Sequence, residues 1–132
     1  MILADTSAWI EYLRGSEHPV DLALRPLAGR YDLVVTEPVV MELLAGIRTE
    51  RDMTRVTDVL SEYPIVPAGG LDTYVKAAEI YRICRRGGDT IRNTIDCLVA
   101  AVAIRVDAPI LHNDRDFDAI ARHTDLRVHP VP

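Results

Sequence analysis

Ile2-Leu3-Ala4-Asp5-Thr6-Ser7-Ala8-Trp9-Ile10-Glu11 decides the architecture. Ile2 to Ala4 is a short apolar run, as expected of a buried strand. Asp5, Thr6 and Ser7 are residue types whose side chains satisfy free backbone N–H groups at a helix start. Trp9, Ile10 and Leu13 then follow a helical spacing until Gly15 stops it. A strand thus runs into a helix with an acid at the junction.

The same unit recurs downstream. A helix is expected over Val20 to Leu27 and a buried β-branched strand at Leu33-Val34-Val35. Pro38 suits the first turn of the next helix, whose apolar stripe is Val39, Val40, Leu43, Leu44 and Ile47. Glu50 to Leu60 reads as a helix, Ile65-Val66 as a strand between Pro64 and Pro67, and Leu71 to Arg86 as a long helix ending at Gly87-Gly88. Asn93 to Val106 is apolar and Ala-rich, Pro109-Ile110-Leu111 is a short strand, Asp116 to Arg122 a helix and Leu126-Arg127-Val128 a last strand. This alternation predicts an α/β fold, a central parallel sheet of about five short strands covered by helices. With 132 residues, 48% of them hydrophobic, and no linker or repeat, one domain over 1–132 is expected.

Composition narrows the function. A net charge of -5 argues against a general electrostatic nucleic-acid binder, so any such contact must be local. Lys76 is the only lysine, a bias that suits phosphate recognition by Arg or reflects genome composition. Cys84 and Cys97 have no metal-ligand spacing and read as buried, reduced thiols of a cytoplasmic protein. No apolar run approaches the roughly 20 residues that span a bilayer, so no membrane association is expected.

In an open parallel sheet, functional groups gather beyond the C-terminal strand ends, which is where Asp5 and Asp114 fall. Glu42 shares a helix side with Val39 and Gly46, and Asp96 with Val99, Ala100 and Ala103, so both carboxylates face covered surface. Burying them ionised costs several kcal/mol without compensation, and neither has a Lys or Arg one turn away within its helix. A divalent cation is the natural compensation. Oxygen ligands without His or Cys select a hard ion, Mg²⁺ or Mn²⁺. One such ion, or a pair about 4 Å apart, hydrolyses phosphodiesters by activating water and steadying the leaving oxygen.

Simpler roles compete with this reading. Asp5 caps the first helix; Asp96 occupies its third position if Asn93 is the cap; Asp114 and Asp116 start the last helix, where Asp118 adds negative charge. Glu42, an acid mid-helix beside an apolar stripe, has no capping role. Trp9 and Leu13 would fill the core or cover a second copy. The four histidines are scattered and read as structural or surface groups.

Asp5-Thr6-Ser7-Ala8-Trp9-Ile10-Glu11, Val40-Met41-Glu42-Leu43, Thr94-Ile95-Asp96-Cys97-Leu98-Val99-Ala100-Ala101 and Asn113-Asp114-Arg115-Asp116-Phe117 together resemble the ordered acidic motifs of PIN domains. More narrowly, the whole resembles the VapC toxins. The resemblance implies metal coordination by Asp5, Glu42, Asp96 and Asp114, with Asp116 as an auxiliary acid. It further implies that Thr6 or Ser7 positions water or the first Asp, and that Asn113 borders the pocket. Arg92, just before the Asp96 motif, is the candidate RNA phosphate contact. The activity implied is endoribonucleolytic cleavage, commonly of tRNA or ribosomal RNA, with Mg²⁺ or Mn²⁺ as cofactor. The partners implied are a VapB-like antitoxin, in a toxin–antitoxin hetero-oligomer, and a second copy in a homodimer. The region from Val39 to Val59 is expected to help hold the antitoxin.

Two other classes remain open. A receiver-like phosphorylatable switch would also place acids at strand ends, yet the expected late Lys is missing. A PIN-fold binding module would keep the acids only for capping and solubility.

Overall fold

Four parallel strands lie in the order β3-β2-β1-β4, in a computed structural model that describes residues 1–30 and 32–132. The chain runs β1 (Ile2–Ala4), α1 (Thr6–Arg14), α2 (Pro19–Leu24), β2 (Leu33–Thr36), α3 (Glu37–Ala45), α4 (Glu50–Leu60), β3 (Ile65–Val66), α5 (Leu71–Arg86), α6 (Thr94–Arg105), β4 (Ile110–Leu111) and α7 (Arg115–His123). Leu3 pairs with Val34 on one side and with Ile110 on the other, so β1 is central. The chain leaves β1 for β2 in one direction and returns to β4 in the other. That reversal opens a crevice beyond the C-terminal ends of β1 and β4, where such sheets bind their ligands.

Strand interiors are apolar because both sheet faces are covered: Leu3, Leu33, Val35, Ile110 and Leu111 are fully buried. Trp9 joins this core, with the Tyr63 ring edge-on at 5.0 Å. It therefore fills the interior instead of facing a second copy. Cys84 and Cys97 are buried free thiols, and burial pushes Cys97 up to about 12. No helix among the described residues is long and apolar enough to cross a membrane.

Two elements differ from the sequence expectation. The second helix stops at Leu24 and continues as a 3₁₀ turn over Arg25–Leu27, because Pro26 has no N–H for the next α-helical bond. The expected last strand contributes one parallel bridge, Ile110 with Val128. Its ladder cannot lengthen because β4 itself ends at Leu111, where the chain turns away towards the cap of α7.

Candidate metal centre

Asp5 ends β1 and caps α1. Its Oδ2 accepts the Ser7 backbone N–H at 3.0 Å and the Ser7 hydroxyl at 2.7 Å. Capping therefore occupies one oxygen only. Oδ1 is buried and has no hydrogen-bond partner, and the residue is 3% exposed. A buried carboxylate oxygen left alone costs free energy unless a cation or proton meets it.

Ser7 serves two strand ends. Its hydroxyl donates to Asp5 and accepts the Asn113 backbone N–H at 2.9 Å, tying the turn after β4 to the start of α1. Thr6 points elsewhere: its hydroxyl donates to Glu42 Oε1 at 2.8 Å, which fixes the α3 carboxylate against the same opening.

Asp96 lies in the first turn of α6, capped by Asn93 through the Ile95 N–H at 2.9 Å. Cys97, Val99, Ala100, Val102 and Ala103 of this helix are fully buried, so Asp96 is carried inwards with them. Asp114 caps α7, its Oδ1 accepting the Asp116 N–H at 3.0 Å. Arg92 donates from Nη2 to Asp114 Oδ1 at 2.8 Å and from Nε to Asp116 Oδ2 at 3.0 Å.

Asp5, Thr6, Ser7, Glu42, Arg92, Asp96, Asp114 and Asp116 line one cleft of about 270 Å³. Asn113 does not line it and acts through its backbone bond to Ser7. Carboxylate oxygens of Asp96, Asp114 and Asp116 lie within 4.8 Å of one another. Asp116, expected as auxiliary, is thus in the tightest group, while Asp5 and Glu42 occupy the wall beside it.

The electrostatics follow from this crowding. Burial, then the Asp5 and Asp114 charges, pushes Asp96 up to about 7. Burial also raises Asp5 despite its Ser7 bonds, and raises Glu42 despite the Thr6 bond. Acids that resist ionisation side by side are the environment a divalent ion relieves. The donors are all carboxylate, and Asp5 contributes a partnerless oxygen, so the residues fit a hard cation.

A sequence profile for the PIN domain matches residues 2–123. The chain belongs to the PIN-domain family. A VapC ribonuclease of Mycobacterium bovis is 40% identical over 129 residues, 96% of each chain. Ribonuclease VapC19 of Mycobacterium tuberculosis is 32% identical, covering 84% of this chain and 86% of its own. The fold matches that in a VapBC2 complex of Rickettsia felis bound to promoter DNA, with a TM-score of 0.78, 20% identity and full coverage of both chains.

Within this PIN domain, three contributors to the cleft were not singled out from sequence. Ile10 and Asn93 line it. Buried His112 supports it from behind, accepting the Asp114 N–H on Nδ1 at 3.0 Å while Nε2 meets Asp118 at 3.2 Å. Asn93 was recognisable as a cap, and a cap beside Asp96 is a cleft neighbour. His112 agrees with the structural role expected of the histidines, but its partner two residues away was not visible from spacing.

Proposed function

We propose that this PIN domain is a metal-dependent endoribonuclease, the toxin of a toxin–antitoxin pair, acting in the cytoplasm on tRNA or ribosomal RNA. The observation that carries the reading is the convergence of Asp96, Asp114 and Asp116 oxygens beside the partnerless Asp5 Oδ1. The ribonuclease names of relatives 40% and 32% identical supply the substrate class.

Asp5, Asp96 and Asp114 would hold the ion, with Asp116 supporting and Glu42 alongside. When bound, Mg²⁺ or Mn²⁺ supplies water activation and neutralises charge on the phosphodiester. Thr6 holds Glu42 Oε1 at the cleft wall, and the remaining oxygen would accept the proton of the attacking water. Water adds to phosphorus, the P–O bond to the leaving ribose oxygen breaks, and that oxygen takes a proton from solvent. Ser7 keeps Asp5 and the Asp114 turn in register throughout.

The test is RNA incubated with the purified protein. EDTA abolishes cleavage, excess Mn²⁺ restores it, and sequencing of the new 5′ ends places the cuts in one RNA class. Cleavage that survives EDTA overturns the metal-dependent reading.

Next to the cleft, sharing Ile10 and Glu42 with it, a groove of about 300 Å³ runs between α1, α3 and α4. Leu13, Leu43, Ile47 and Val56 form its apolar floor, and Arg14 and Arg55 flank it, a shape and charge suited to an acidic amphipathic antitoxin segment. Leu44 and Val59, in the expected region, instead pack partly buried against the core. Gly46 lines the groove, and a Cβ there meets only backbone oxygens at 3.7 and 3.8 Å. Gly46→Phe is therefore expected to fold normally, keep cleavage, and weaken the antitoxin by about thirtyfold, the equivalent of ~2 kcal/mol. Calorimetry with the co-encoded antitoxin reads this, and unchanged affinity removes the groove from the interface. The homodimer is carried by another surface, for which Leu71, Tyr74 and Val75, exposed on α5, are the candidates.

A further inference from the structure

Arg92 is the only basic side chain among the described residues lining the acidic cleft. Five carboxylates line the same cleft. We propose that Arg92 is the cleft's resident cation, holding Asp114 and Asp116 in place of a second divalent ion, so that each chain takes up one ion. This rests on the metal-dependent reading above.

Geometry supports it in three ways. First, of the three acids whose oxygens converge, two are already bonded to Arg92, one through Nη2 and one through Nε. A planar guanidinium that reaches two carboxylates with separate N–H groups is fixed in direction, which a lysine would not be. Second, the backbone holds Arg92 in place. Its own N–H donates to Asp116 Oδ2 at 3.2 Å, and the next residue, Asn93, caps α6. Third, among the described residues the wall formed by Asp5 and Glu42 has no such cation. Asp5 Oδ1 is buried without a partner and Glu42 is held only by a hydroxyl. The cleft is therefore asymmetric, with a built-in cation on the Asp116 side and an unmet charge on the Asp5 side, where the single ion belongs.

This also revises the role read from sequence. Arg92 sits near the Asp96 motif, as a phosphate contact would, but its Nε and Nη2 are committed to protein carboxylates. Its main task is to set the ion count of the site.

The experiment is calorimetric titration of the full chain with Mn²⁺, for the parent, Arg92→Gln and Arg92→Ala, with circular dichroism melting in EDTA and in Mn²⁺. The parent is expected to take one ion per chain and both variants two. Both variants melt below the parent in EDTA and regain the difference in Mn²⁺. In the parent, the Arg92 Nε–H resonance is expected to persist through saturation with Mg²⁺, a reading that needs no variant. Two ions in the parent, one ion in folded variants, or loss of the Nε–H resonance overturns the proposal. Weakened RNA binding with an unchanged ion count returns Arg92 to a phosphate contact. No Mn²⁺ uptake by any of the three overturns the metal-dependent reading itself.

Discussion

Asp5→Asn is expected to lower RNA cleavage by about 10³-fold, the equivalent of ~4 kcal/mol of lost transition-state stabilisation, without lowering the melting temperature of the metal-free protein. The two halves of this expectation have different causes. Asn keeps the cap, because its side-chain oxygen can still accept the Ser7 N–H and hydroxyl that Asp5 Oδ2 accepts now. It removes a charge that burial already disfavours and that raises Asp96 and Glu42 across the cleft. What it cannot do is offer an anionic oxygen to a cation at the position of Oδ1. Single-turnover cleavage of a fixed RNA and a melting curve in EDTA read the two halves separately. A variant that cleaves as well as the parent overturns the role of Asp5 as ligand. One that loses activity together with stability shows instead that the acid is structural.

Asp5 also shows what could be seen in the sequence. Its place after a three-residue apolar run marked both the central strand and the acid at its end, and the cap it forms does not compete with a role as ligand. One oxygen caps while the other is left over. The same holds for Asp114, whose Oδ1 caps α7 and also receives Arg92. Parallel order and helix positions were legible because burial on both sheet faces leaves continuous apolar runs between helical periods. The ranking among the acids was not. Asp116 enters the tight group because the α7 cap folds it back onto Arg92, a contact across 24 residues that no local period encodes. The Thr6 bond to Glu42 spans 36 residues for the same reason. The final strand was overestimated because β-propensity at Leu126 to Val128 is local, whereas the length of a ladder is set by its partner, and β4 is two residues long.

The crowding of the acids is expected to make the stability of the metal-free protein fall, and the stabilisation by Mn²⁺ grow, as pH rises. Burial and mutual repulsion hold Asp5, Glu42 and Asp96 above their ordinary values, Asp96 at about 7 against 3.8. Between about pH 4 and 7, the folded protein therefore keeps protons that the unfolded chain has already released. Where the unfolded state binds fewer protons, stability falls as pH rises. The metal-free protein is thus most favoured below the unfolded carboxylate range and loses stability as pH climbs to about 7, the value for Asp96. Asp96 is 7% exposed, so solvent screens little of this, and the loss it contributes is on the order of a few kcal/mol. For a domain of this size that is a fall of roughly 10 °C in melting temperature. Mn²⁺ is expected to oppose this fall, because an ion held by the deprotonated carboxylates would stabilise only the folded chain, by about 2.7 kcal/mol at a hundred times its Kd. Melting curves from pH 4 to 8 in EDTA and in Mn²⁺ should nearly coincide at pH 4 and separate as pH rises, with Asp96→Asn flattening the EDTA curve. Parallel curves in the two conditions would mean that the acids of the cleft meet no ion, and the case for a metal centre would fail with them.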